Sequence, residues 1–202
     1  MELVVISDPG TVANEAQIIN RLFDAGLRRF HLRKPDWDIG RCTELLAQVN
    51  QSHHHAIASH QHHQLAKTFG MKYLHYTEKG RTKADKLKLS SQAHNDYTLS
   101  TSIHQLSDLS SLTVFDYVFY SPVFDSISKP GYHGTLPGGF CLDKNIPGPK
   151  VIALGGINES NLHQVNDMNF DGAAVLGAIW NHPQQAVSNF VKIKKATELF
   201  NS

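Results

Sequence analysis

Residues 150–179 read KVIALGGINESNLHQVNDMNFDGAAVLGAI, and this stretch decides the fold. It opens with an apolar run at 150–155, continues through a helical pattern that Asn158 caps and that ends near Asn166, and closes on a second apolar run at 172–176. Two buried strands joined through a helix form a β–α–β unit, in which the strands are parallel. The stretch therefore predicts an α/β protein with helices packed on a parallel sheet.

The same alternation extends over the rest of the chain. Six further strands are predicted, at 2–7, 28–33, 56–59, 72–76, 97–102 and 116–121. Helical patterns follow six of the eight strands, at 12–26, 36–49, 64–69, 105–112, 158–166 and 187–199, with Thr11 as the first N-cap. A doubly wound sheet usually has fewer strands, so we predict a single minimal (β/α)8 TIM barrel over residues 1–202.

Composition excludes several classes of protein. The 202 residues are 41% apolar and 18% charged, with a formal net charge of +1, which suits a globular core and argues against a nucleic-acid partner. No apolar run approaches the about 18 residues of a membrane span, and the first residues carry no basic region or cleavage site. Cys42 and Cys141 are too few for a disulfide framework. We expect a reduced, cytoplasmic protein without a membrane or nucleic-acid partner.

Polar side chains follow the strands at the end where such barrels carry their chemistry. His31 and Arg33 alternate onto one face of the second strand, and an arginine in the lumen requires either an anion or an acidic neighbour. Ser102 and His104 share a face after the fifth strand. They lack the orienting acid of a nucleophile–base pair, so they are better suited to hydrogen-bond a ligand.

Three loops have the composition of phosphate-binding segments. Ser126, Ser128 and Lys129 follow the sixth strand and offer two hydroxyls and a cation to a diphosphate, in a Gly- and Pro-rich loop that is either a lid or a surface loop without a role. The pairs Gly155–Gly156 and Gly177–Ala178 follow the last two strands. Small residues there let backbone N–H groups approach a phosphate, as in many barrels.

The 13 histidines raise the question of a metal site. His60 and His62 follow the third strand at a spacing that could ligate zinc, copper or nickel, but no third ligand is marked, so no metal site is predicted. His31, His75 and His104 are candidate proton carriers near neutral pH. Hydrogen-bonded lumen residues are the alternative, and both interpretations stay open.

At these residues the chain resembles the thiamine-phosphate synthase family, which includes the TenI-type thiazole tautomerases. The matching pieces lie in the same order along almost the whole chain: HLRK at 31–34, STSIH at 100–104, DYVFYSPVFDSISK at 116–129, VIALGGI at 151–157 and GAAVLGAI at 172–179. The resemblance implies an enzyme that joins hydroxymethylpyrimidine diphosphate to a thiazole phosphate and releases diphosphate, usually with Mg²⁺.

The resemblance also assigns roles. Its diphosphate-handling positions fall on Arg33, Ser126, Ser128 and Lys129, with Ser102 lining the same site, and its thiazole-phosphate cradle falls on Gly155, Gly156, Gly177 and Ala178. Small phosphorylated substrates are therefore the expected partners.

The chain departs from the family pattern at the metal ligands. Pro35 stands where the family has a lysine, His60–Gln61 stand where it has Asn–Asp, and Gly80 lies near the place of a further aspartate. Both magnesium carboxylates are thus replaced, and Mg²⁺ is expected as a cofactor only if Glu78 compensates. The tautomerases carry a histidine at the position of Pro122.

Three functions follow from the resemblance and its departures. They are a divergent synthase, a TenI-like thiazole-phosphate isomerase, and a non-catalytic thiazole-phosphate-binding regulatory protein. Lys34 replaces the absent lysine only if the turn at Pro35 re-aims it. Barrels of this kind often pair through their helices, so a homodimer also stays open.

Overall fold

The computed structural model describes residues 1–125, 134 and 136–200, and it is a closed parallel barrel in which the strands pair in chain order. The strands are β1 (Glu2–Ile6), β2 (Phe30–Leu32), β3 (Ile57–Ser59), β4 (Tyr73–Tyr76), β5 (Thr98–Ile103), β6 (Tyr117–Tyr120), β7 (Lys150–Leu154) and β8 (Gly172–Val175). The predicted (β/α)8 barrel is confirmed.

Helices cover the outside of the barrel. They are α1 (Glu15–Asp24), α2 (Ile39–Gln48), α3 (Leu65–Phe69), α4 (Glu78–Lys83), α5 (Lys86–His94), α6 (Leu162–Asp167), α7 (Gly177–Trp180) and α8 (Ala186–Glu198), with 3₁₀ turns at Gln51–Ala56, Leu106–Ser111 and Pro183–Gln185. The longest, α8, has 13 residues, and no helix in the described part of the chain has the length and apolarity of a membrane span.

Several helix starts differ from the sequence prediction. The first helix begins at Glu15 and not behind Thr11, because Asn14 adopts a left-handed backbone with a φ of 57°. The sixth begins at Leu162, and Asn158 instead accepts hydrogen bonds from the backbone and hydroxyl of Ser160. The second helix begins within its predicted range, and Asp38 caps it, since its carboxylate accepts from the backbone N–H of Arg41.

Side chains that point inward from the strands divide the lumen into two halves. An apolar half consists of Val4, Ile6, Tyr117, Phe119, Ile152 and Ala174, from β1 and β6–β8. The other half, on β2–β5, is polar and holds buried His31, His75 and Ser100. Because outward-facing residues on the same strands pack beneath the helices, the polar residues are enclosed on all sides.

A buried ion pair fixes the loop after β2 against the start of α1. The Lys34 side chain is fully buried, and its Nζ lies 2.7 Å from Glu15 Oε2 and 2.6 Å from the carbonyl oxygen of Gly10. Burial raises the pKa of Glu15, although the Lys34 ammonium opposes that rise. Lys34 therefore points toward α1 and does not replace the lysine that the family has at Pro35.

Removing the cation of this pair should destabilise the protein strongly. We expect Lys34→Met to lower the free energy of unfolding by about 3–5 kcal/mol, because Glu15 is then left buried with an uncompensated charge. The double variant Lys34→Met/Glu15→Leu, which removes both charges, should recover most of that loss. Urea denaturation at pH 7 measures both values, and a loss below about 1 kcal/mol in the single variant contradicts the prediction.

Candidate functional site

The carboxyl ends of the strands bring the sequence-predicted residues to one end of the barrel. Arg33 directly follows β2, Ser102 lies near the end of β5 with His104 just beyond it, and Gly155 and Gly177 follow the last two strands. Because all strands are parallel, these ends meet around one opening, here called the mouth. The predicted residues Ser126, Ser128 and Lys129 lie outside the described residues.

Arg33 is the cation that the structure places at the mouth. Its backbone is held by Ser7, whose hydroxyl accepts from the Arg33 N–H at 2.8 Å and donates to the Arg33 carbonyl at 3.0 Å. Its side chain is half-buried, and its positive charge helps to lower the pKa of His60 and His75. No acidic partner of this guanidinium is found within the described residues, which leaves it able to bind an anion.

Beneath the mouth, His31 links two strands across the lumen. Its Nδ1 lies 2.9 Å from Nε2 of His60, and its Nε2 lies 2.7 Å from the hydroxyl of Tyr117. Both ring nitrogens are thus engaged, and the side chain is fully buried. The structure therefore gives both nitrogens of His31 protein partners, and its contact with a substrate stays a prediction.

His75 connects this pair to the mouth. Its Nδ1 lies 3.0 Å from the Ser100 hydroxyl and its Nε2 lies 3.1 Å from the Ser102 hydroxyl. The rings of His60 and His75 stack with their centroids 3.9 Å apart. Ser102 is half-buried, whereas Ser100, His60 and His75 are buried. Ser102 is therefore the member of this network closest to solvent.

Burial keeps the three rings neutral. Desolvation is the largest cause lowering the pKa of His75, to about 3, with smaller contributions from the charges of His63 and Arg33. Desolvation and neighbouring positive charge also hold the pKa of His31 and of His60 well below 6.5. A proton carrier at neutral pH needs a pKa close to 7, so this geometry favours the hydrogen-bonded interpretation for His31 and His75.

Ser102 and His104 do not form a pair. His104 is exposed, and its Nδ1 lies 2.6 Å from the carbonyl oxygen of Ser121, while its Nε2 lies 3.9 Å from a carboxylate oxygen of Glu78. Ser102 instead hydrogen-bonds His75. A serine nucleophile activated by His104 is therefore absent from this geometry, and His104 remains available to a ligand at the rim.

The glycines after β7 have a packing reason as well as their predicted role. Gly155 and Gly156 have φ values of 106° and 67°, a backbone conformation that residues with a side chain rarely adopt. A Cβ at Gly155 would lie 3.0 Å from Cα of Pro122, and one at Gly156 would meet the backbone oxygen of Asp125. The loop after β6 therefore requires both glycines, whether or not a phosphate binds there.

Gly177 differs from these two glycines. A Cβ there would lie no closer than 3.4 Å to another group, the side chain of Asn181, so packing does not require a glycine. Ala178, the next residue, lines a cavity of about 550 Å³ together with residues 158–160. The loop after β8 thus has room for a ligand group beside it.

The described donor set does not fit Mg²⁺. Gln61 uses its side-chain oxygen to accept from the backbone N–H of Lys34 at 3.0 Å, and Gly80 lies in α4. Glu78 is a single, half-exposed carboxylate that lies 3.8 Å from Nη2 of Arg81. Among the described residues, no carboxylate lies close to two or more other ligating side chains. Mg²⁺ is held by several oxygen ligands, which this site does not supply.

Sequence reasoning missed Ser100, Tyr117 and the burial of Glu15. Strand alternation was the available signal for the first two, because residues two apart share a face and Ser100 and Ser102 therefore both point inward. Glu15 had no such signal, since its partner Lys34 follows β2 in a turn of irregular backbone.

Comparisons with known proteins agree with this architecture. The thiamine monophosphate synthase family model matches residues 3–179. A thiamine phosphate pyrophosphorylase from Bacteroides thetaiotaomicron is 28% identical over 98% of this chain and 98% of its own, with a TM-score of 0.75. One from Pyrococcus furiosus is 16% identical over 100% of this chain and 97% of its own, with a TM-score of 0.77, and supports the fold alone. No curated protein matches the sequence.

The neutral histidines should make the protein acid-sensitive. As pH falls below about 6.5, histidines of the unfolded chain bind protons while the buried rings do not, so stability is present above that pH and is lost toward pH 3. In the presence of a metal chelator, we expect lowering the pH from 7 to 5 to cost about 2 kcal/mol through His75, with further losses in the same direction from His31 and His60. Urea denaturation should show a smaller loss in His60→Asn, and equal losses in both proteins contradict the prediction.

Proposed function

The chain belongs to the thiamine monophosphate synthase family, and from that premise we propose that it is a divergent thiamine-phosphate synthase. It would couple hydroxymethylpyrimidine diphosphate to a thiazole phosphate and release diphosphate. The observation that carries the proposal is the half-buried Arg33 guanidinium at the mouth, without an acidic partner among residues 1–125, 134 and 136–200. Arg33 is also the residue to which the resemblance assigns diphosphate handling.

The reaction needs charge stabilisation more than proton transfer. The bond between the pyrimidine methylene carbon and the diphosphate oxygen breaks, and the electron pair leaves with the diphosphate. The thiazole nitrogen then donates its lone pair to the carbocation, forming the new C–N bond. A fixed guanidinium stabilises the charge that develops on the leaving group. In this proposal Arg33 supplies that charge, with Lys129, Ser126 and Ser128 as further partners.

The substrate's phosphate is assigned to the loops after β7 and β8. Gly155–Gly156 and Gly177–Ala178 follow β7 and β8, the strands after which barrels commonly bind phosphate. Ser102 is proposed to contact the pyrimidine substrate, because its hydroxyl lies at the top of the histidine network and faces the mouth side of the lumen.

A second candidate is favoured by the missing carboxylates. With Gln61 at one family aspartate position and Gly80 near another, a protein that binds thiazole phosphate without handling diphosphate also fits, either as an isomerase or as a regulatory binding protein. Exposed His104 is the proton carrier that an isomerase could use, because its ring is not enclosed as those of His31 and His75 are.

One assay separates the two candidates. The purified protein is mixed with pyrimidine diphosphate, thiazole phosphate and Mg²⁺, and thiamine phosphate and released diphosphate are quantified. Product is expected, and Arg33→Ala should lower kcat/KM by about 10- to 100-fold, since it removes a charge-assisted hydrogen bond. Arg28→Ala, an exposed arginine at the other end of β2, is the matched control. No product, with thiazole-phosphate binding retained, favours the second candidate.

The phosphate assignment is tested at Gly177. We expect Gly177→Asp to weaken thiazole-phosphate binding at least about tenfold, because the carboxylate repels the phosphate. The fold should persist, since a Cβ has room there and an acidic residue suits the first turn of α7. Isothermal calorimetry with Gly177→Asn as the neutral control measures the effect. Equal affinities in the two variants would place the phosphate elsewhere.

A further inference from the structure

We propose that His31, His60 and His75 bind one divalent transition-metal ion, of which Zn²⁺ is the best match, in the barrel lumen. One ring nitrogen from each residue lies within 4.8 Å of the others, and all three residues are buried. In the described part of the chain, no other group of three or more ligating side chains lies so close together. The site lies in the polar half of the lumen, directly below Ser102.

The spacing requires only a small adjustment to accept an ion. Imidazole nitrogens bound to one tetrahedral Zn²⁺ are roughly 3.3 Å apart, from a Zn–N distance of about 2.0–2.1 Å. Nδ1 of His31 and Nε2 of His60 already face each other at 2.9 Å. His75 lies beside them, its ring stacked on that of His60 and its centroid 5.6 Å from that of His31.

Hydroxyl groups already orient the rings as outer partners of a metal site do. The nitrogen of His31 that faces away from His60 contacts the Tyr117 hydroxyl at 2.7 Å. Whichever nitrogen of His75 binds the ion, the other keeps a serine hydroxyl, from Ser100 or Ser102. Such bonds fix the tautomer and the ring direction in zinc sites.

The donor chemistry selects the ion. Three imidazoles suit Zn²⁺, Cu²⁺ or Ni²⁺ and do not suit Mg²⁺, which prefers oxygen. Three protein ligands also leave a fourth tetrahedral position for water or a substrate oxygen. His62, which follows β3 together with His60, is not part of this group, because its Nε2 lies 2.9 Å from the carbonyl oxygen of Trp37.

The proposal goes beyond the proposed function, and metal binding can succeed or fail independently of coupling activity. The test uses the full chain without a histidine tag, stripped with a chelator. Titration with Co²⁺ should give the strong visible absorption of a tetrahedral nitrogen site, saturating at one equivalent, and Zn²⁺ should abolish it by displacement. Weak octahedral absorption, or metal analysis well below one equivalent after Zn²⁺ loading, overturns the proposal.

Two variants locate the ion. His60→Asn should lower Zn²⁺ affinity at least 100-fold, and His55→Gln, in the exposed part of the histidine run at 53–55, should leave it unchanged. The reverse result assigns the metal to the surface run and overturns the proposal. If circular dichroism shows His60→Asn unfolded, Tyr117→Phe decides the matter. Loss of an outer hydrogen bond should weaken binding about 10-fold or more, and unchanged affinity contradicts the lumen site.

Discussion

Closure of the barrel between its first and last strands is the constraint on which the rest of the structure depends. β1 pairs with β8 in parallel from Glu2 opposite Gly172 to Val5 opposite Val175. A Cβ at Gly172 would lie 2.6 Å from the carbonyl oxygen of Glu2. The seam, meaning the pairing of β1 with β8, can therefore be this tight only because residue 172 is glycine. Closure brings all eight strand ends around one mouth, and it forces every inward side chain to share a narrow lumen.

Sharing that lumen explains why the histidines act as a network and not as independent acids. On one side, apolar side chains such as Phe119 and Ile152 fill the space and exclude water. On the other side, each imidazole must satisfy its nitrogens within the protein, because an unpaired polar group in such a place is costly. Burial therefore produces both the low pKa values and the hydroxyl contacts of His31 and His75.

The sequence predicted the barrel because buried parallel strands leave apolar runs, and those runs are visible at 150–155 and 172–176. Helices α4 and α5 were not predicted, because α4 buries no residue and α5 buries only Leu89, so neither leaves an amphipathic pattern. The histidine group lay beyond sequence reasoning for a different reason. Its distances depend on the relative register of β2, β3 and β4, which pairs His31 with Ala58 and Ser59 with Leu74.

The seam also has a consequence for how the chain is made. The indole of Trp180 donates to the carbonyl oxygen of Ile6 at 2.7 Å, so the first strand is held by residues made more than 170 positions later. During synthesis on the ribosome, the edge of β1 that pairs with β8 stays unpaired until β8 has left the exit tunnel. An unpaired parallel strand invites association with other chains. Until β8 is made, the free edge of β1 therefore exposes the partly made chain to pairing with other chains.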